Sequence, residues 1–486
     1  MLNLREHFKL TAIYTFFAAF PALLQLVVYP VIEGEARLGA VDFGHLAITE
    51  AIISVVFIFC TFGTGSGLYR FYYDYRDDTR RYNKLVSTVL NGILGRGILL
   101  LGLVFLFAPW IGGLFAEPAL QDFGQYGPAL VLAGMNRSIV TVLLGLFRNE
   151  KRLGMFVAVS LASGIFRSAF QVTGVLFYDL SFLGYVYGTA AGSSLVAVVL
   201  VAYLVYRCGF HYSKGVLREL FPFARPLFFS DLIVWGLLFA DRFFLLGDPS
   251  QLGIYDNAMK FAIGIQLVIQ GLTNAIQPEI FNYLKAGLKE KTSEIKSLCN
   301  IFMAESVGIV ILAIIPVMLF ITFFYETELR MSAGLVPILF ARFILTAQYK
   351  VFAFPLMYAK KTRLFLYINS GSLAVNIGLN WWLTPVFGFY GAITAFFAAY
   401  FLQTVLFSKM QQKHMPISWN MKKILYFPWA IVAVAILLEA VKLVFGVDPF
   451  VTAAVLVFFA FAGILMLYRN ELAGYLAKLR KTGTEE

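Results

Sequence analysis

Long apolar runs separated by short polar segments make up most of the 486-residue chain. Each run has about 20 residues or more, the length at which an α-helix crosses the hydrocarbon core of a bilayer. The pattern predicts an all-α polytopic membrane protein with about fourteen transmembrane helices. The expected spans are 9–32, 43–66, 85–107, 126–147, 153–177, 183–206, 225–246, 254–281, 297–324, 331–358, 364–385, 388–408, 424–446 and 449–468.

Composition supports the same class. Hydrophobic residues make up 60% of the chain and charged residues 14%. Soluble domains are about half apolar and about a quarter charged. The sequence therefore predicts no separate soluble domain.

The net charge of +11 would suit a nucleic-acid-binding protein, but its placement indicates membrane topology instead. Lys and Arg concentrate in the tails and in the connections that follow even-numbered spans, whereas the opposite side carries only Arg37, Arg330 and Lys442. The positive-inside rule then predicts that both termini are cytoplasmic. The basic loops are expected to face an anionic leaflet of the cell membrane, the inner or plasma membrane, with no nucleic-acid partner.

No pattern indicates catalysis. The glycine-rich stretch 63–67 lacks the strand, lysine and helix of a phosphate-binding loop. Cys60, Cys208 and Cys299 have no metal-ligand spacing, and the four histidines are scattered. The sequence predicts that the protein is not an enzyme and has neither a cofactor nor a metal site.

Residues 240–284 carry the most distinctive spacing in the chain. An aspartate at the end of one apolar run is followed by Leu-Gly, then by Gly-x-Tyr-x-x-Ala-x-Lys, and finally by Pro-x-Ile. The matching residues are Asp241, Leu246, Gly247, Gly253, Tyr255, Ala258, Lys260, Pro278 and Ile280. This set resembles the Wzx-type polysaccharide flippases, a branch of the multidrug/oligosaccharidyl-lipid/polysaccharide exporter superfamily.

Two further stretches resemble the same family. They are Leu-Gly and Phe-Gly within 38–44, and Arg-Phe-Tyr at 70–72. Between them, the glycines within 63–67 lower helix propensity and predict a break or close packing in the second span.

Short motifs recur at a similar distance along the chain. Leu38-Gly39 returns as Leu252-Gly253, and Leu183-Gly184 returns as Phe387-Gly388. Such a repeat predicts two six-helix halves. The predicted divisions are 1–206 for an N-lobe, 207–412 for a C-lobe, and 413–486 for two C-terminal helices and a cytoplasmic tail. The resemblance implies two pseudo-symmetric lobes with a central cavity that opens to one side or the other.

Basic side chains within the predicted spans are the first candidates for substrate binding. They are Arg96, Arg137, Arg167, Arg342 and Lys350. Ionisable groups inside a bilayer are costly and normally face a cavity, a partner or the interface. Guanidinium and ammonium groups suit the phosphates of a diphosphate-linked glycan. The alternative is that each cation pairs with a carboxylate or reaches the interface.

Acidic and basic residues toward the outer ends of spans form a candidate outer gate. They are Glu50, Asp241, Arg242, Asp256 and Lys260. Glu50 lies near His45 in sequence, and the four-residue spacing of Asp256 and Lys260 predicts a helical pair. Interfacial capping is the alternative.

Asp231, Asn376, Asn380 and Thr394 form a candidate site for a coupling ion. Oxygen ligands of this kind suit a hard cation such as Na⁺. The resemblance implies such a site, because the lipid II flippases of the same superfamily carry Asp on helix seven, Asn-x-x-x-Asp on helix eleven and Thr on helix twelve. Asn380 replaces the second aspartate here. Glu305 is the alternative group, for H⁺ coupling.

The resemblance implies a flippase that moves a polyprenyl-diphosphate-linked oligosaccharide to the outer leaflet by alternating access, for cell-surface polysaccharide such as lipopolysaccharide. Expected partners are this substrate, membrane lipids and a polysaccharide polymerase. Two alternatives stay open: a multidrug cation antiporter of the same fold, and a non-transporting scaffold of a glycan-assembly complex.

Overall fold

A computed structural model describes residues 4–178 and 180–471, and these residues are almost entirely helical. The helices of the first half are α1 (Leu4–Ile32), α2 (Ala40–Thr61), α3 (Thr64–Tyr75), α4 (Thr79–Gly112), α5 (Pro118–Gln121), α6 (Phe123–Asn149), α7 (Leu153–Tyr178), α8 (Phe182–Cys208) and α9 (Lys214–Leu245). Those of the second half are α10 (Pro249–Ala286), α11 (Leu288–Phe324), α12 (Val336–Tyr358), α13 (Thr362–Phe387), α14 (Phe389–His414), α15 (Phe427–Phe445) and α16 (Pro449–Leu467). A 3₁₀ helix (Glu328–Leu335) precedes α12, and a π-helical segment (Lys422–Tyr426) precedes α15.

Every predicted span is helical, with the second divided between α2 and α3, and the all-α membrane fold is confirmed. Within the described residues, 13 helices are long and apolar enough to cross a membrane. Helix α13, which matches the eleventh span, is not among them because the asparagines at 369, 376 and 380 lower its mean hydropathy. The cytoplasmic position of both termini stays a prediction, and residues 1–3 and 472–486 lie outside the described residues.

Contacts between helices divide the chain into two units, Met1–Asp256 and Asn257–Glu486. Helix α9 therefore belongs with α1–α8 in the first unit, where it packs against α2 and α3. The lobe boundary predicted at 206/207 came from sequence repetition, which these contacts do not test, and it stays a prediction.

The predicted break in the second span lies between α2 and α3. Phe62 and Gly63 both have positive φ angles, 47° and 66°, which end α2 and turn the chain into α3. A Cβ atom at Gly63 would lie 2.4 Å from the carbonyl oxygen of Ala224 in α9. Only glycine combines the left-handed conformation with so close an approach. Phe228 of α9 stacks on Phe62 at 4.3 Å and extends this contact.

Helices α7 and α8 pack through a stripe of glycines. Gly184, Gly188 and Gly192 follow at four-residue intervals and so share one face of α8. Cβ atoms at Gly188 and Gly192 would lie 2.3 Å and 2.5 Å from the carbonyl oxygens of Phe170 and Phe166 in α7. This is the close backbone packing that small residues permit between membrane helices.

We expect Gly188→Leu to lower the free energy of unfolding by roughly 1–3 kcal/mol or more, because the side chain would force the α7 and α8 backbones apart. Gly102→Leu is the matched control, since Gly102 is an exposed residue of α4 with open space at its Cβ position. The measurement is the midpoint of thermal unfolding of the detergent-solubilised protein. Unfolding is monitored through the reaction of a thiol-reactive dye with the buried cysteines as they become exposed. Equal unfolding midpoints for the two variants would contradict a tight α7–α8 seam.

Glu471, just beyond α16, ties the C-terminal helices to the rest of the second unit. Its carboxylate accepts a hydrogen bond from Asn300 of α11 at 2.8 Å, and another from Lys423 of the π-helical segment. Burial alone would raise the pKa of Glu471, but the hydrogen bonds from Lys423 and Asn300 outweigh it and lower the pKa below its ordinary value.

A lowered pKa in the folded state means that Glu471 stabilises the fold above the ordinary glutamate pKa of 4.5. This contribution is lost as the pH falls through the lowered value. We therefore expect the unfolding temperature of the wild type to fall between pH 5 and about pH 3, and to fall less steeply for Glu471→Gln. The measurement is the difference between the two melting curves across this range. A constant difference would show that Glu471 does not stabilise the fold through its charge.

Candidate functional site

Four side chains at the α9–α10 turn form a buried ionic network. Asp241 and Arg242 end α9, and Tyr255 and Asp256 lie in the second turn of α10. Arg242 Nε donates to Asp256 Oδ1 at 2.8 Å, and its Nη1 donates to Asp241 Oδ1 at 3.2 Å. The Tyr255 hydroxyl donates to Asp241 Oδ2 at 2.6 Å. The aspartate and the tyrosine of the sequence motif are therefore hydrogen-bond partners, which explains their spacing.

Glycines of two separate motifs meet beside this network. A Cβ atom at Gly253 of α10 would lie 1.9 Å from the carbonyl oxygen of Ala40 in α2. A Cβ atom at Gly44 of α2 would lie 2.0 Å from the carbonyl oxygen of Pro249 in α10. The first turns of α2 and α10 are thus in backbone contact, which explains why both positions are glycine.

Three of the five predicted outer-gate residues lie in this network: Asp241, Arg242 and Asp256. Arg242 occupies Asp256 Oδ1, with Nη2 at 2.7 Å. Lys260 lies one turn further along α10 and is buried. The opening of these contacts as a gate stays a prediction.

Glu50, the remaining outer-gate candidate, is paired with a predicted substrate-binding residue. Arg137 Nη1 of α6 donates to Glu50 Oε1 of α2 at 2.7 Å and also contacts Ser54 Oγ at 3.3 Å. The sequence had placed Glu50 beside His45, but His45 Nε2 instead lies 3.3 Å from Glu117 Oε1. The structure therefore associates Glu50 with Arg137, because both lie on facing positions of α2 and α6.

A buried network of amides and hydroxyls in α1, α7 and α8 went unnoticed in the sequence. Gln25 Nε2 donates to Ser168 Oγ and Gln171 Oε1 at 3.1 Å and 3.0 Å, and Gln25 Oε1 accepts from the Tyr185 hydroxyl at 2.9 Å. Two glutamines inside predicted spans were the available signal. Beside Ser168, the partly buried Arg167 interacts electrostatically with Glu50, which lies on α2.

Arg96 supports the break between α2 and α3. Its Nε donates to the carbonyl oxygen of Cys60 at 2.8 Å, and its Nη2 lies 3.4 Å from the carbonyl oxygen of Thr61. These carbonyls end α2 and have no partner within the helix. The guanidinium also lies over the Phe62 ring. Arg96 therefore has a clear structural function, and its predicted contact with substrate remains untested.

Arg342 and Lys350 of α12 both contact side chains of α10. Lys350 Nζ donates to Gln270 Oε1 at 3.0 Å and to Thr273 Oγ1 at 3.1 Å. Arg342 is only 3% exposed, and its guanidinium carbon lies 3.7 Å from the centre of the Phe396 ring. Its Nη1 contacts Met259 Sδ at 3.3 Å. Among the described residues, no carboxylate lies within ion-pair distance of either cation.

The candidate ion-site residues are only partly associated. Asn380 Nδ2 donates to the carbonyl oxygen of Asn376 at 2.9 Å, and Asn380 Oδ1 accepts from Thr384 Oγ1 at 3.0 Å. Thr394 is exposed, and its hydroxyl donates to its own helix at the carbonyl oxygen of Tyr390.

The two carboxylates considered for coupling lie elsewhere. Asp231 is an exposed residue of α9 in the first unit, and Glu305 is a partly buried residue of α11 in the second. In the parts of the chain that the structure describes, no three His, Cys, Asp or Glu side chains gather where they could hold a metal ion. Coupling to Na⁺ or H⁺ stays a prediction.

A polar cavity at the ends of α3, α4, α6 and α8 was also missed. It has a volume of about 480 Å³, and Glu150 in its wall binds Arg207 and Arg152. In the sequence these two arginines belong to different connections between spans. They were therefore interpreted only as charges of the basic loops and not as parts of one site.

Sequence comparison identifies a family. Residues 36–334 match the family described as "Polysaccharide biosynthesis protein". No curated protein matches the sequence significantly.

Several solved structures share this fold. The structure titled "Lipid II flippase MurJ, inward closed conformation" superposes with a TM-score of 0.69 at 12% identity, covering 94% of this chain and 99% of that one. The MATE multidrug transporter DinF-BH gives 0.60 at 17% identity, covering 84% and 95%. An inward-facing MATE family transporter of the MOP superfamily gives 0.61 at 13% identity, covering 82% and 96%. At these identities the similarity concerns the fold alone.

We expect Arg242→Gln to lower the free energy of unfolding by about 3–5 kcal/mol, because it would remove one partner of a buried ion pair, the cation that Asp241 and Asp256 share. Arg70→Gln is the control: Arg70 pairs with Asp74 at 3.0 Å on an exposed helix surface, where such a pair contributes at most about 1 kcal/mol. The measurement is the unfolding midpoint in detergent. Similarly small losses of stability in both variants would contradict a large stabilising contribution of Arg242 at the α9–α10 turn.

Proposed function

The chain belongs to the polysaccharide biosynthesis protein family, as its motifs predicted, and from this premise we propose that it flips a polyprenyl-diphosphate-linked oligosaccharide from the cytoplasmic to the outer leaflet. The fold is that of the flippases and transporters of the multidrug/oligosaccharidyl-lipid/polysaccharide superfamily. The substrate, its direction and the alternating-access cycle are the proposal.

The observation that carries this proposal is the buried, unpaired charge of Arg342. A guanidinium stays protonated in proteins, and a charge at the centre of a membrane helix costs about 2.5–3.5 kcal/mol or more. The cation–π contact with Phe396 returns only about 0.5–2 kcal/mol. An anionic substrate group would supply the missing partner, whereas a cationic drug would be repelled.

Access to Arg342 requires movement, because the Phe396 ring covers the guanidinium at 3.7 Å. A covered cation that binds its anion only after rearrangement fits a cycle with alternating exposure. Lys350 lies two turns further along the same face of α12 and extends the cationic surface with hydrogen bonds only to neutral groups. Two cations on one helix face can hold both phosphates of a diphosphate group.

The first unit, taken by itself, carries two further proposed substrate contacts, Arg137 and Arg167. Arg137 pairs with Glu50, which also interacts electrostatically with Arg167, so the three side chains together carry one net positive charge. Arg137 and Glu50 are each about 40% exposed, with side-chain values of 42% and 39%, and an anion can therefore compete for Arg137. In this proposal Glu50 keeps the empty site closed and releases Arg137 when a diphosphate arrives.

The network at the α9–α10 turn is the proposed outer gate. It holds α9 to α10 through Arg242, while the contact of Gly44 with Pro249 holds α10 to α2. In this proposal, opening toward the outside breaks the Gly44–Pro249 backbone contact and leaves the ionic network intact. Separating the glycine surfaces leaves no charge without a partner, whereas breaking the network would.

Energy coupling and partners are further parts of the proposal. Na⁺ coupling would require the neutral side-chain oxygens of Asn376 and Asn380, whereas H⁺ coupling would require the carboxylate of Glu305. A polysaccharide polymerase is the expected partner on the outer side, because it would consume the flipped glycan.

We expect Arg342→Gln to reduce glycan translocation by about 10- to 100-fold, because a hydrogen bond to a charged group is worth about 1.5–3 kcal/mol. Its unfolding midpoint should stay the same or rise, since the variant removes an unpaired buried charge. Arg330→Gln is the matched control, as Arg330 is exposed in the 3₁₀ helix before α12. The measurement is accessibility of a polyprenyl-diphosphate oligosaccharide headgroup in proteoliposomes.

Three other results would each contradict the proposal in a different way. Normal transport by Arg342→Gln would exclude the arginine from the pathway. Exchange of cationic dyes by the wild type, without glycan movement, would identify an antiporter. A wild type that transports neither substrate would favour a non-transporting scaffold.

A further inference from the structure

The polar cavity at one end of the first unit lies where several helices end. Helix α3 ends at Tyr75, α4 begins at Thr79, α6 ends at Asn149, and α8 ends at Cys208. The loops at these ends are the basic ones, so the positive-inside rule places the cavity at the cytoplasmic interface. Its volume of about 480 Å³ lies within the range of small-molecule sites, which is about 300–1,000 Å³.

Glu150 is the fixed centre of the cavity wall. Its side chain is only 7% exposed, and Arg207 binds both of its oxygens, with Nη1 3.0 Å from Oε2 and Nη2 2.9 Å from Oε1. The Tyr82 hydroxyl donates to Oε1, and Arg152 Nε lies 3.3 Å from Oε2. Each of these residues comes from a different helix end, so the carboxylate holds them in one arrangement.

The cavity carries more positive charge than Glu150 can neutralise. Arg76, Arg152 and Arg207 all line it, and among the described residues Glu150 is the only acidic one in the lining. Each arginine has five N–H donors, and the two that bind Glu150 use only some of theirs. Arg76 is 52% exposed, lies over the Tyr73 ring at 5.8 Å and has a long 3.6 Å contact with Asp77, so its N–H donors are largely available.

The remaining lining groups are neutral and polar. Tyr72, Thr79 and Asn83 contribute hydroxyl and amide groups, and the Tyr72 ring packs edge-on against Tyr82 at 6.1 Å. A net charge of about +2 with neutral donors suits a diphosphate group. A purely apolar ligand or a cation would leave this excess positive charge without an anion.

We propose that this cavity is a diphosphate-binding entry site, where the headgroup of the lipid-linked substrate binds before it reaches the transmembrane cations. This inference rests on the proposed function for the identity of the substrate. The cavity is separate from Arg342 and Lys350, which belong to the second unit, and from the Glu50–Arg137 pair, which lies at the middle of α2 and α6. The proposed entry site therefore gives a binding role to loop arginines that would otherwise serve only to orient the helices in the membrane.

The test is equilibrium binding to the purified full-length protein in detergent, with inorganic diphosphate and polyprenyl diphosphate as probes. We expect Arg76→Gln and Asn83→Asp to raise the Kd for both probes at least about ten-fold, one by removing a donor and the other by adding a repelling carboxylate. Neither change removes a hydrogen bond recorded for these side chains among the described residues. Arg81→Gln is the matched control, because Arg81 lies at the start of α4 close to Asn83 in sequence, is 73% exposed and does not line the cavity.

Unchanged unfolding midpoints for the two variants would show that a loss of binding is local. Wild-type affinity in both variants, or no diphosphate binding by the wild type, would overturn the inference. Phosphatidylglycerol distinguishes the remaining source of the same chemistry: if it displaces polyprenyl diphosphate at equal concentration, the occupant is bulk anionic lipid and the entry site is rejected.

Translocation measured in parallel separates this inference from the proposed function. If Asn83→Asp binds and transports like the wild type while the wild type flips glycan, the entry site fails and the flippase stands. If the wild type binds diphosphate in the cavity but moves no glycan, the flippase fails and the binding site stands.

Discussion

A charge buried between apolar helices has no water to solvate it, and its partner must come from the protein or from a ligand. Arg242 shows the satisfied case. Two aspartates neutralise it, a backbone carbonyl accepts a further bond, and the Tyr255 hydroxyl satisfies Asp241. The helix pair α9–α10 depends on this arrangement, because losing Arg242 would remove a cation that two buried carboxylates share.

The other intramembrane cations differ in how far the protein satisfies them. Arg96 uses its donors on the carbonyls that end α2, so it is needed wherever the break is needed. Arg137 has a single carboxylate partner that is itself partly exposed. Arg342 has an aromatic ring and a sulfur atom, neither of which carries a negative charge. Arg96 therefore relies on neutral carbonyls and Arg137 on a carboxylate. Within the described residues Arg342 has neither, and it is the cation at which binding of an anionic group is proposed.

Glycine supports the same architecture in a different way. At Gly63, Gly188 and Gly253 a Cβ atom would collide with the backbone of a neighbouring helix. Membrane helices gain little from burying apolar side chains away from lipid, so close backbone packing becomes a main source of association. The glycine-rich contacts hold helices together without involving charged groups. Separating them therefore costs less free energy than breaking the ionic network beside them.

Apolar run length and glycine placement are local properties of the chain, and they were enough to predict the all-α fold, its spans and the break near Gly63. The motif from Asp241 to Tyr255 was also visible, because its members lie within one hairpin. Partnerships across distant helices were not. Glu50 with Arg137, Gln25 with Tyr185, and Glu150 with Arg207 are far apart in sequence and come together only through helix packing. The sequence by itself therefore determined where helices form and which residues carry charge. Only the tertiary structure decided which charges are neutralised, because that depends on distances between helices that no local pattern contains.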